Sequence, residues 1–193
     1  MPQRTSDSAA AERIRLAAVE AFAESGYGGA STRDITKRLG MSAAAMYPHY
    51  SSKEELLFAI SLEGHQAALA VLEGADDPHL AHLERLRSVV AAFTRWQAER
   101  REVARVVQYE LHALTPEHYR TITAVRRQTT GVISAIVRGG KDSGEFDIGD
   151  PIDVVLAISS LCVDVCRWFP SSRHRDPERL AQTYADMAER LVR

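Results

Sequence analysis

Arg33, Lys37, Arg38 and Lys53 place four cationic side chains in a stretch that also carries Tyr47, His49 and Tyr50, with the hydroxyls of Ser31, Thr32 and Ser42 among them. Cations interleaved with hydroxyls and aromatics suit contact with phosphate oxygens rather than bond-making chemistry. The other chemistry-bearing sets are weaker. His79 and His82 stand three residues apart with no Cys or acid at metal-ligand spacing, so no metal is expected. Cys162 and Cys166 are i,i+4 neighbours, with Cβ atoms ~5–6 Å apart on a helix. A disulfide needs ~3.5–4.5 Å, so they read as buried small apolar residues. Gly139 to Gly144 follows a helix rather than a strand and reads as a helix end and turn, not a phosphate loop. There is no HExxH, no GxxxxGK[ST] and no nucleophile–base spacing, so neither a cofactor nor a catalytic residue is expected.

The elements that must position the cationic stretch are helices. Ile14, Ala17, Ala18, Ala21 and Phe22 form one helical face that Gly26 can end. Ile35 and Leu39 form a short second stripe, with Ser31 or Thr32 as N-cap and Gly40 as terminator. A third short segment runs from about Ser42 to Tyr50. Ser51-Ser52-Lys53-Glu54-Glu55 then opens a fourth helix reaching about Leu72, its acids placed where the helix dipole favours them. A helix of two turns, a tight turn at Gly40-Met41 and a second short helix capped by Ser42 make a helix-turn-helix. Ile35, Leu39, Met41 and Met46 would pack that pair onto the first helix.

Longer stripes follow: Leu83, Leu86, Val90, Phe93; Ile122, Val125, Thr129, Val132, Ile136; and Leu180, Tyr184, Met187, Leu191. Breaks fall at Gly74 to Pro78, Thr115-Pro116, Gly139 to Gly149 and Pro170 to Pro177. No stretch alternates as a strand would, so the expected fold class is all-α with about nine helices. The chain has 193 residues, 45% apolar and 26% charged, which excludes a disordered protein. The run Met1 to Ser8 has no apolar signal-peptide core, and the longest uncharged apolar run, Val154 to Val163, is well short of the ~18 residues of a membrane span. A cytoplasmic protein with no membrane partner is expected. The net charge of −2 hides an asymmetry. Residues 1–53 carry seven basic and five acidic side chains, whereas the remainder carries seventeen and twenty-one. A mildly acidic body with one basic end suits contact with a polyanion at that end only.

Thr32-Arg33-Asp34-Ile35, Leu39-Gly40-Met41-Ser42, Met46-Tyr47, His49-Tyr50 and Ser52-Lys53-Glu54-Glu55-Leu56 together resemble the DNA-binding domain of tetracycline-repressor-type (TetR family) regulators. The match spans about Glu12 to Leu57 with its internal spacing intact. The resemblance implies that Thr32, Tyr47 and Lys53 contact phosphates, that Arg33 approaches a base edge or the backbone beside it, and that His49 sits near the backbone. It places Ala43, Ala44 and Ala45 at the base-facing start of the recognition helix. Alanines carry no side-chain hydrogen bonds, so readout there is limited to thymine methyls, and specificity leans on Arg33, Ser42 and DNA shape. Pro48 departs from a regular helix: it should free the carbonyl of Ala44 and disfavour α geometry at Tyr47, tightening or ending the last turn.

The resemblance further implies a DNA-binding domain over residues 9–52, a ligand-binding and dimerisation domain over 53–193, and a homodimer joined through helices at about 151–169 and 177–192. The function implied is a repressor released from palindromic double-stranded DNA by a small-molecule effector. Phe93, Trp96, Tyr109, His112, Arg167 and Trp168 are the candidate effector-binding residues. Gly144-Glu145-Phe146, Asp153 and Arg167-Trp168-Phe169 loosely resemble subgroups that sense acyl-CoA; a drug-like apolar ligand is the alternative. Two other classes stay open, an all-α enzyme acting on an apolar substrate and an effector-independent architectural DNA-binding protein.

Overall fold

A computed structural model describes residues 3–193, which form eight α-helices and two short 3₁₀ turns. The helices are α1 (Gln3–Gly29), α2 (Thr32–Arg38), α3 (Lys53–Ala75), α4 (His82–Glu99), α5 (Arg101–Tyr109), α6 (Pro116–Asp142), α7 (Pro151–Trp168) and α8 (Pro177–Leu191). The 3₁₀ turns are Ala43–Met46 and Leu111–Ala113. The described residues contain no strand, as the sequence periodicity requires.

Local chemistry sets most boundaries. Ser31 caps α2 in a reciprocal pair with Asp34: the Asp34 N–H donates to Ser31 Oγ at 3.1 Å and the Ser31 N–H donates to the Asp34 carboxylate at 2.9 Å. Ser52 caps α3 by accepting from the Glu55 N–H. Asp150-Pro151 and Asp176-Pro177 open α7 and α8 with an aspartate cap and proline at the first position. Gly26 takes φ +72 and breaks α1, although hydrogen bonding resumes through Gly29. Between α4 and α5 the break is a single residue, Arg100, with no glycine or proline to announce it.

Two large hydrophobic cores, with two smaller clusters where α8 packs, fill the described residues. The first joins Ile14, Ala18 and Phe22 of α1 to Ile35, Met46, Leu56 and Leu57, and continues into Val106, Leu111 and Ile122. Leu39 packs against it, whereas Met41 is half-buried outside it. The second unites Leu72, Leu86, Phe93, Ile133, Ile136, Ile158 and Cys162. Helix α6 therefore begins in the first core, at Ile122, and ends in the second. By length and composition α3 alone among the described helices could cross a membrane, but Leu56, Leu57, Ile60 and Leu72 bury it in these cores.

One sequence expectation is corrected here. Gly139 and Gly140 lie inside the last turns of α6, and the turn begins only at Ser143–Gly144. A Cβ on Gly140 would stand 2.3 Å from the Phe146 ring, so this glycine lets the chain fold back and bury Phe146 against its own helix.

Candidate functional site

The helix-turn-helix is built as the spacing requires up to Ser42. The Met41 N–H donates to Thr36 O at 3.0 Å, and Gly40 adopts φ +66, a left-handed turn that favours glycine. Beyond Ser42 the expected helix to Tyr50 shrinks to one 3₁₀ turn, Ala43–Met46. Ser42 makes no side-chain cap bond. Tyr47 holds right-handed helical geometry (φ −63, ψ −28) despite the following Pro48. The Ala44 carbonyl is not freed either, because the Tyr47 N–H donates to it at 3.3 Å in the tighter i,i−3 pattern. The proline thus shortens the segment rather than distorting it.

Tyr50 anchors this turn from below. Its hydroxyl accepts from Arg15 Nη1 at 2.9 Å and donates to Ala11 O at 3.3 Å, while its ring is buried in the first core. Tyr47 points the other way and is 53% exposed, although it is a large aromatic. Arg33, Ser42 and Ala44 are exposed; Thr32, Ala43, Ala45 and His49 are half-buried. The basic cluster is less free than its composition suggests. Arg38 is tied to Glu20 and Glu24 of α1. Lys53 Nζ donates to Tyr27 O at 2.8 Å and Ala30 O at 3.0 Å, and lies 4.1 Å from the centre of the Tyr27 ring. It thereby satisfies carbonyls left open at the end of α1 and keeps one N–H in reserve. Arg33 and Lys37 form no ion pair among the described residues.

A second feature is a cavity of about 290 Å³ lined by α3 to α7 and open to solvent on one side. Phe93 and Trp96 line it, together with His65, Gln97, Arg126 and Ser159, which the sequence reading did not select. The other candidates fall elsewhere. Tyr109 is 45% exposed and lines a shallow groove beside α7 and α8. His112 is exposed on the second 3₁₀ turn, Arg167 is paired with Asp164 at 2.7 Å, and Trp168 packs edge-on against Phe169 and His174.

His65 is buried, and its Nε2 lies 3.2 Å from Val107 O, to which it donates, leaving Nδ1 as an acceptor. Burial, reinforced by the nearby Arg126 charge, pushes it down to about 4. The imidazole therefore stays neutral in the folded chain while the unfolded chain takes up a proton below pH 6.5. Stability should fall as pH drops from 6.5 towards 4, by on the order of 3 kcal/mol from this residue. Urea unfolding of wild type and His65→Gln across that window checks this, since parallel curves would mean that His65 protonates freely.

The described residues hold no cluster of three metal-ligating side chains. His82 is instead paired with Glu145 at 2.9 Å. Cys162 and Cys166 are buried and unbonded, and burial pushes their thiols up to about 12 and about 11, which leaves them unreactive.

A helix-turn-helix unit seated on a helical body that carries its own cavity is the architecture of a bacterial regulatory protein. The chain matches the model described as "Bacterial regulatory proteins, tetR family" over residues 14–60, and "Tetracyclin repressor-like, C-terminal domain" over 79–192. It belongs to the TetR family of transcriptional regulators. A solved tetR-family regulatory protein from Rhodococcus RHA1 is 49% identical, with TM-score 0.92 over 95% of this chain and 96% of that one. The HTH-type transcriptional repressor Rv1474c of Mycobacterium tuberculosis is 29% identical over 100% of this chain and 99% of its own length. The fatty acid metabolism regulator protein of Bacillus subtilis is 27% identical over 73% of this chain and 72% of its own.

Proposed function

We propose that the protein is a dimeric repressor, not an enzyme, that binds operator DNA through residues 9–52 and is released when a small apolar or acyl-CoA-type effector enters the cavity of residues 53–193. The observation that carries this is Tyr47. A large aromatic ring left 53% exposed on a helix-turn-helix that also exposes Arg33, with the nearby Tyr50 buried beneath it, is a surface prepared for a partner. The relatives' names, a repressor and a fatty acid metabolism regulator, favour transcriptional control and an acyl-type ligand over the alternatives.

Thr32, Tyr47 and the third N–H of Lys53 serve as phosphate contacts, with His49 beside the backbone. Arg33, Ser42 and the three alanines Ala43 to Ala45 face the bases. Specificity then rests chiefly on Arg33 and on DNA shape. Two DNA-binding units related by a two-fold axis read two half-sites. The dimer forms through α7 and α8, where Ile152, Leu156, Leu161, Met187 and Leu191 are all 39–64% exposed.

The route between cavity and DNA is helix α6. Its middle, at Arg126, Thr129 and Thr130, lines the cavity, and Ile122, one turn or ~6 Å away, is buried in the core of the DNA-binding unit. Its first turn is fastened to α3. Glu54 accepts from the Thr115 N–H at 2.8 Å and from His118 Nδ1 at 2.9 Å, and the His118 ring stacks on Phe58 at 3.8 Å. An effector that binds best with α6 displaced weakens DNA binding, and DNA weakens effector binding to the same extent.

Lys53→Ala tests the interface. Operator affinity should fall by a similar factor on all sequences, and its dependence on salt should become shallower by about one unit. An unchanged salt slope would restrict Lys53 to capping α1.

A further inference from the structure

We propose that the cavity selects an anionic amphiphile, an apolar body with one negatively charged head, and that Arg126 is the residue that reads the charge. The assignment rests on the cavity being the effector site.

None of the residues lining the cavity is acidic, and Arg126 is the only formally charged one. Arg126 forms no ion pair among the described residues, whereas Arg85, Arg87 and Arg95 of α4 are paired with Asp76, Asp186 and Glu178. A half-buried guanidinium without a counter-ion is free to pair with an anion that enters the cavity. His65, the other basic group in the wall, is committed to Val107 O and stays neutral, so it adds an acceptor and no charge.

Arg126 and Thr130 line both the cavity and an open depression on the outer side of α6, where Arg127 joins them. The charged residue thus stands between the cavity and the outer surface of α6. Phe93, Trp96 and Ile133 give the inner space its apolar surface. A volume of about 290 Å³ lies at the small end of ligand sites, which typically span ~300–1,000 Å³, so the apolar body is short and the head remains at the wall.

Polar groups also line the cavity. Ser159 Oγ is buried without a hydrogen-bond partner, and Gln97 is buried beside the same space. The unpartnered Ser159 hydroxyl is stabilised by a polar atom on the occupant. A carbonyl near the head of the ligand would serve both. A free carboxylate and a coenzyme A thioester share the required chemistry, an anion joined to an apolar chain.

Titration calorimetry of the full chain with decanoate, decanoyl-CoA, methyl decanoate and decyltrimethylammonium separates the possibilities. At least one anion should bind tenfold or more tightly than the neutral ester, and the cation should not bind. Arg126→Gln should remove the preference for the anion, and Arg126→Lys should restore part of it, which excludes a folding defect. Binding of decanoate would identify a carboxylate reader, and binding of decanoyl-CoA alone a reader of coenzyme A phosphates. Equal binding of the cation, an anion-to-ester ratio unchanged in Arg126→Gln, or no binding of any probe would overturn the assignment. Operator release measured on the same samples keeps the two claims apart. Arg126-dependent binding without release would contradict the regulatory function alone, and release by the neutral ester alone would contradict the charge reading alone.

Discussion

Leu161→Glu combined with Leu191→Glu is expected to turn the protein into a monomer and to lower its operator affinity by roughly two orders of magnitude or more. Both leucines line the groove between α7 and α8 and are 40% and 39% exposed, so each variant should fold normally as a monomer. In a dimer built on this face the same positions lie at the centre of a four-helix contact. A glutamate there must be buried without a partner or must prevent association, and neither outcome is cheap. Loss of the dimer removes the second half-site contact, which raises overall affinity by ~10²–10⁴ when geometry permits both to engage. Sedimentation analysis together with operator anisotropy checks the two effects jointly. A variant that stays dimeric would move the interface to another surface.

The second large effect concerns transmission. In wild type the effector should weaken operator binding by roughly 5–150-fold, the usual size of a coupling between two sites. In His118→Ala that ratio should approach one, while effector affinity and effector-free operator affinity stay near their wild-type values. His118 touches neither the cavity nor the DNA-facing surface. It only fastens the first turn of α6 to Glu54 and Phe58 on α3. Glu54→Gln, which keeps the shape but loses the carboxylate, should have a smaller effect of the same kind. A full response in His118→Ala would show that the signal reaches the DNA-binding unit through another contact, such as α1 against α5.

Features fixed by local chemistry were legible from the residues. The Ser31–Asp34 cap, the Gly40 turn, the Ser52 cap with Glu54 and Glu55 behind it, and the aspartate–proline starts of α7 and α8 all follow from side chains within four positions of the boundary. The stripes of Ile14 to Phe22 and Leu83 to Phe93 found their cores for the same reason. What escaped depended on distant partners. Gly139-Gly140 resembles a turn in isolation, and only the Phe146 ring folding back explains why it stays helical. The break at Arg100 carries no local signal.

The cavity was half legible. Phe93 and Trp96 line it, whereas Tyr109, His112, Arg167 and Trp168 lie outside it. A usable signal was present in the polar residues on buried stripes. His65 interrupts the apolar series Leu57, Ile60, Ala68 and Leu72, and Gln97 continues Val90 and Phe93. A polar side chain at a core position needs a partner, and in this chain several such positions on different helices face one space.

The central claim, sequence-specific binding of DNA, is tested most directly by fluorescence anisotropy of the full chain with duplex from upstream of its own gene. A scrambled duplex at near-physiological salt is the control. Nanomolar binding with a preference of ~10³ or more over the scrambled duplex is the expected result. Equal, weak and salt-sensitive binding to both duplexes would contradict it and point to an architectural role. No binding to either would show that the helix-turn-helix serves another purpose.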